Sequence, residues 1–165
     1  MANSFTVNTY SPKNVQFLIG GYTFAGWQSI AISRNAKSFT PYRGIRGKNT
    51  RIKNLDTSAI LTITLLQTSQ SNDVLSTILT ADEENGTARI VFTLKDRSGG
   101  SVFTSNDAFI TGFPVTSFSG QFEYRTWEIF CGSTTTYNVA GNGRPQTNIF
   151  DSAVSAVGDL INNIF

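Results

Sequence analysis

The sequence has no histidine, one cysteine and few charges, and each shortage removes a class of chemistry. Without histidine there is no ordinary general base near neutral pH, no imidazole metal ligand, and no Ser-His or Cys-His catalytic arrangement. A single thiol, Cys131, allows neither an intrachain disulfide nor a multi-thiolate zinc site. Charged residues are 15% of the chain, against roughly 25% in an ordinary soluble domain. The net charge of +2 lacks the concentrated footprint of a phosphate-tracking protein. No run nears the roughly 18 apolar residues of a membrane span, and the opening MANSFTVNTYSPK has no basic stretch followed by an apolar one. These features predict a soluble protein without a secretory signal.

What is present is hydroxyl, amide and aromatic: Ser, Thr, Asn and Gln are abundant and Phe occurs 13 times among 165 residues. That length suits one body with appendages. After a polar arm, VQFLIGGYTFAGW at 15–27 reads as two short strands about Gly20-Gly21, and QSIAISR at 28–34 alternates as a half-buried strand. TSAILTITLLQ at 57–67 sets Ala59, Leu61, Ile63 and Leu65 against Ser58, Ile60, Thr62 and Thr64. In ARIVFTLKD at 88–96, Ile90, Phe92 and Leu94 share a face. SVFTSNDAFITGFPV at 101–115 is expected to be extended. QFEYRTWEIFC at 121–131 points Trp127, Ile129 and Cys131 inward and Tyr124, Thr126 and Glu128 outward, and Thr134–Val139 is a candidate last strand.

Two helices are predicted. One spans about 71–84, with Val74, Leu75, Ile78 and Leu79 on one face, a hydroxyl of Ser69 or Ser71 capping it, Asp73 at the positive end of its dipole, and Asn85-Gly86 ending it. After a linker at 141–145, an amphipathic helix at about 150–164 aligns Phe150, Val154, Val157, Ile161 and Ile164, with Ala153 and Leu160 beside them. It carries no Lys or Arg, so packing on protein is expected rather than a membrane surface. The domain division is 1–140 as a β domain and 141–165 as linker and helix.

Candidate sites are few. Glu83-Glu84 fall at a helix end, and the odd spacing of Glu123 and Glu128 puts them on opposite strand faces, unlike a glycosidase pair. Asp73 near Ser71 reads as capping, because a lone carboxylate is a poor base for a serine. The glycine pairs match no phosphate-binding loop. FTPYRGIRGKNTRIKN at 39–54 holds Arg43, Arg46, Lys48, Arg51 and Lys53 in an exposed loop or hairpin. Three readings stand for it: contact with DNA phosphates, pairing with acidic surface of a neighbouring subunit, or simple solvation.

Segment for segment, AILTITLLQTSQSNDVL at 59–75, entered through Asn54-Leu55-Asp56-Thr57-Ser58, resembles the tail tube proteins of contractile-tailed bacteriophages. The resemblance continues through ARIVFTLKDRSGG, ITGFP at 110–114 and EYRTWEIFCG at 123–132, covering about residues 12–140. It implies a mainly β, antiparallel sandwich or barrel-like tail-tube fold with the two helices, and relates the chain to tube proteins of type VI secretion and injection systems. Six subunits would form a ring whose inner strands join into one barrel, and rings would stack into a conduit for DNA ejection. On this resemblance Ser29, Ser33, Thr62, Thr64, Tyr124, Thr126 and Glu128 face the lumen, while Arg43, Arg46, Lys48, Arg51 and Lys53 make inter-ring contacts. The implied partners are other copies of the chain, a tail sheath outside, baseplate and tail terminator at the ends, and DNA passing without sequence-specific binding. The implied location is the virion, assembled in the host cytoplasm, and neither cofactor nor catalytic residue is expected. The competing reading is a β-sandwich module binding carbohydrate or a baseplate through exposed aromatics such as Trp27 and Tyr42; a hydrolase working on carboxylates alone is the third.

Overall fold

The computed structural model describes residues 8–145 and 149–164. In chain order the elements are β1 (Asn8–Thr9), a 3-10 turn (Pro12–Asn14), β2 (Val15–Ile19), β3 (Tyr22–Thr23), β4 (Trp27–Arg34), β5 (Phe39–Arg43) and β6 (Asn49–Lys53). There follow β7 (Ala59–Leu66), α1 (Ser71–Asn85), β8 (Ile90–Asp96), β9 (Val102–Ile110), β10 (Tyr124–Cys131), β11 (Thr136–Asn138), β12 (Arg144–Pro145) and α2 (Ile149–Ile164). An eight-stranded antiparallel sheet runs β3-β2-β8-β9-β10-β7-β4, with β11 also paired to β9. Mainly β with two helices is thus the observed class, and both helices fall within a residue of their expected bounds.

The alternating runs bury the side expected of them. Ala59, Leu61, Ile63 and Leu65 of β7 are fully buried, as are Ile129 and Cys131 of β10, and Ile90, Phe92 and Leu94 of β8 join them in one core cluster. That cluster draws on β2, β7, β8, β9, β10 and α1 together, so the long sheet curls around a single interior. A bulge between β8 and β9, where the register shifts between Ile90 and Phe92, marks where β9 passes from β8 toward β10. Helix α1 seats Leu75 and Leu79 on this core.

The strand expected over 101–115 stops at Ile110. Gly112 and Pro114 follow within four residues, and proline removes a ladder donor. Residues 111–123 are therefore a loop.

The polar run before α1 is structural throughout, although its parts differ from the expected caps. Gln70, not a serine, occupies the N-cap position and makes no side-chain cap. Ser69 Oγ accepts the Ser71 amide at 3.2 Å. Ser71, 1% exposed, donates its hydroxyl to the Ala25 carbonyl and accepts from the Ala25 amide. Asn72 donates to the carbonyls of Leu66 and Ser69 and accepts from Trp127 Nε1 at 3.0 Å. Gly86, at φ +65°, ends the helix in the left-handed conformation.

The 141–145 segment is tied back to the other end of the chain: β12 pairs with β1, Asn8 opposite Pro145 and Thr9 opposite Arg144. In α2, the exposed side chains include Val157, Leu160, Ile161 and Ile164. The side chains of Phe150, Ala153 and Val154, assigned above to the same stripe, lie outside the described residues, as do residues 1–7 of the N-terminal arm.

Candidate assembly surfaces

Residues opposite one another in an antiparallel pair share a sheet face, and the register of β4, β7 and β10 assembles the seven hydroxylated and polar positions expected to face away from the core. Ser29, Thr64 and Thr126 form one row; Ala31, Thr62 and Glu128 the next; Ser33, Ile60 and Phe130 a third. Tyr124 stands opposite Leu66 at the end of the same face. Thr64 Oγ1 and Thr126 Oγ1 are 3.3 Å apart, and Thr111 donates to Glu128 Oε1 at 3.4 Å. The side chains opposite these on the same strands are the core itself, which fixes the polar set outward. Among the described residues β4 hydrogen-bonds to one strand, β7, so its eight residues offer an open backbone edge beside this face.

The five basic residues lie on a separate hairpin, β5-β6, whose strands pair from Phe39 opposite Lys53 to Arg43 opposite Asn49. Every residue of both strands is exposed. Pairing divides the hairpin into a face with Phe39, Pro41, Arg43, Arg51 and Lys53, and a face with Thr40, Tyr42, Thr50 and Ile52. The Arg51 guanidinium covers the Phe39 ring at 4.2 Å, a cation–π contact. Arg46 and Lys48 belong to the tip, where Gly47, at φ +86°, turns the chain and Ile45 stands fully in solvent. The hairpin thus separates from the lumen candidates, as two distinct surfaces of one subunit. Trp27 and Tyr42, the aromatics of the competing binding-module reading, sit in different sheets, on β4 and β5.

Two titratable groups, half-buried Asp107 and buried Cys131, are shifted from their usual ranges by their surroundings. Burial pushes the Asp107 carboxyl up, but the amide and hydroxyl of Ser133 and the hydroxyl of Ser105 outweigh it and leave the group below its usual range. Burial, with the Asp107 charge adding to it, raises the Cys131 thiol to about 11. A thiol so placed is protonated and unreactive at neutral pH. Ser71 and Asp73, two positions apart and weighed as a nucleophile with a partner, do not converge: Ser71 is turned to Ala25 while Asp73 is exposed.

One surface escaped the sequence reading. The 111–123 loop exposes Phe113, Val115, Phe118 and Phe122, and Phe118 lies 5.3 Å over the guanidinium of Arg125. Arg125 itself is buried on the core-facing side of β10. Outward-facing Phe109 and Phe130 pair nearby with centroids 5.3 Å apart. The available signal was aromatic density around Gly and Pro, which reads equally well as a strand.

No protein-family model matches the chain. The structural protein ORF10 of Pseudomonas phage KPP10 is 34% identical over 162 residues, covering 92% of each protein. Among solved structures, a chain from the virion of the native gene transfer agent particle superposes with a TM-score of 0.55 at 15% identity, over 78% of this chain and 100% of that one. A chain of the anti-feeding prophage cap, the tube terminating cap, gives 0.54 at 14% identity, over 84% and 100%. At such identities the two structures speak to fold, whereas the ORF10 match speaks to descent. The chain belongs to the family of phage structural proteins that includes ORF10, and it shares its fold with chains of a gene transfer agent virion and of a tube terminating cap.

Proposed function

We propose that the protein is the inner-tube subunit of a contractile phage tail: six copies close into a ring, rings stack, and the resulting channel conducts DNA during ejection. The observation that carries this is the outward face of β4, β7 and β10, where hydroxyls of Ser29, Ser33, Thr62, Thr64 and Thr126 predominate, ending at an open β4 edge. An exposed edge of eight residues is an aggregation hazard in a free monomer, and closure with neighbouring copies removes it. A channel wall rich in Ser and Thr hydroxyls hydrates well, and the rows of this face offer DNA phosphates no Lys or Arg to hold them. In this reading Ser29, Ser33, Thr62, Thr64, Tyr124, Thr126 and Glu128 line the lumen, and the basic hairpin reaches a neighbouring ring. Residues 1–140 build the tube wall and 141–165 form an appended segment outside it. Sheath, baseplate and terminator are the remaining partners, and the work is mechanical, with no catalytic residue or cofactor.

A Thr62→Cys variant tests the lumen assignment, because native Cys131 is buried and leaves residue 62 as the reactive thiol. Labelled with a small maleimide–gold cluster, assembled particles should carry density along the central channel; gold on the outer surface sinks the assignment. The fold shared with a tube terminating cap supports one other reading, a ring that ends the tube. The two differ in copy number: a tube subunit stacks indefinitely when purified alone, and a terminator halts at one ring.

A further inference from the structure

The segment Asn54-Leu55-Asp56-Thr57-Ser58, which leads into β7, belongs neither to the polar sheet face nor to the hairpin. It is a preformed knob. The Asn54 amide donates to the Ser38 carbonyl at 2.8 Å, Asn54 Oδ1 accepts the Asp56 amide at 3.0 Å, and Asp56 Oδ1 accepts the Ser58 amide at 2.9 Å. Such side-chain turns fix the backbone before any partner arrives. Leu55 is 83% exposed. Beside it, bonds from the Ser58 hydroxyl and amide hold the exposed Asp56 carboxyl below its usual range, so it is charged at neutral pH. The knob therefore presents an aliphatic side chain and a carboxylate from a fixed turn.

The other end of the β7–β10 ladder offers the complement. Asp56 lies just beyond the end where Ala59 meets Cys131, whereas Arg125 stands opposite Leu65, near the other end. There a cleft of about 210 Å³ opens between the start of α1 and the 111–123 loop, lined by Asp73, Phe113, Pro114, Thr116, Arg125 and Trp127. Arg125 is 8% exposed, yet its guanidinium has one hydrogen bond, at 3.4 Å to the Tyr124 carbonyl, and the ring of Phe118. Among the described residues no carboxylate forms an ion pair with it, Asp73 of the same cleft included. A buried guanidinium without a counter-ion is costly in a free subunit.

We propose that Leu55 and Asp56 of one copy dock into this cleft on a copy in the adjacent ring, Leu55 against Phe113 and Pro114 and the Asp56 carboxylate on the Arg125 guanidinium. The contact deepens the stacked-ring reading and rests on it: head-to-tail stacking brings the Ala59 end of one subunit against the Leu65 end of the next. A second copy is the occupant because one chain carries both halves at opposite ends, an aliphatic side chain with a carboxylate and an aromatic-walled cleft with an uncompensated cation. The cationic tip of the hairpin suits this cleft poorly, since the buried charge there is also cationic. On docking, each Arg125 gains a counter-ion, and exposed Leu55 and Phe113 leave water together.

A pair of substitutions that leaves the basic hairpin untouched tests the contact. Asp56→Asn keeps the acceptor for the Ser58 amide and removes the charge; Arg125→Met keeps an unbranched apolar stem and removes the other charge. Each should leave rings intact by native mass spectrometry while lowering the sedimentable tube fraction at least about tenfold. Together they should lose little more than either alone, because both remove the same interaction. Full tube yield from Asp56→Asn, or losses that multiply in the combination, overturns the contact while leaving rings and tubes standing. Absence of rings in the unsubstituted protein overturns the ring reading and the contact with it. A second measurement needs no buried substitution. A Leu55→Cys, Thr116→Cys protein, oxidised after assembly, should give covalent ladders joining copies of successive rings, since the two positions lie at opposite ends of a subunit and native Cys131 is buried. Oxidised tubes without such ladders overturn the contact, whatever Arg125→Met does to folding.

Discussion

At the scale of single residues, the polar side chains that look most like chemistry hold loops and strands together. Asn72 joins β7, the helix start and Trp127 through three hydrogen bonds. Asn72→Ala leaves the buried indole N–H of Trp127 unmatched, while the Leu66 and Ser69 carbonyls keep the backbone amides of Ser69 and Asn72, and should lower stability by about 1–3 kcal/mol, read as a reduced urea midpoint with an unchanged slope. Asp107 sets part of the acid response. Its folded pKa lies below the unfolded value near 3.9, so its contribution is present above that value and is lost as pH falls through the folded pKa. Asp107→Asn should therefore flatten the acid limb of a stability profile below about pH 4, while lowering stability at pH 7. Cys131 has the opposite sign. With the thiol raised to about 11, its contribution is full below the unfolded value near 8.5 and fades as pH rises toward 11. Native protein at pH 7 should resist iodoacetamide and react only at the rate of unfolding; rapid labelling of folded protein would contradict this burial.

At the scale of elements, much of the architecture was written in period-two alternation. Leu61, Ile63 and Leu65, with Trp127 and Ile129, had to share an inner face, because a half-buried strand cannot place them otherwise. Alternation assigns a residue to a face but does not say which strands are neighbours. That Thr64 meets Thr126 and Ser29 depends on pairings spanning more than 60 positions in β7–β10, which no local pattern encodes. The hairpin was legible because Gly44, Gly47 and concentrated charge left it few buried alternatives. The 111–123 loop was not, since its phenylalanines mimic strand composition while Gly112 and Pro114 prevent pairing. Gly99 marks another contact that local sequence cannot announce. A Cβ there would run into the backbone of Gly141 and Asn142, where the returning chain crosses the β8–β9 turn. Gly99→Ala should cost about 1–3 kcal/mol, whereas at Gly100 the nearest atom, the Ala140 Cβ, would lie at 3.5 Å, ordinary contact distance. Thermal unfolding of the two variants separates them, and equal melting temperatures would contradict the crossing.

At the scale of the whole molecule, the features hardest to explain in a monomer belong to its surface: a hydroxylated sheet face, an open eight-residue edge, a projecting cationic hairpin and an aromatic loop. A ring gives each a neighbour. With β9 beside β10, β7 and β4, four adjacent strands from each of six copies would close a barrel of about 24 strands, and with strand spacing of ~4.8 Å and an outer layer the tube would be about 100 Å wide. Purified protein imaged by negative-stain electron microscopy over a range of concentrations tests this most directly. The account predicts rings and stacked tubes of about that width with a stain-filled central channel; particles that remain monomeric at every concentration would contradict it.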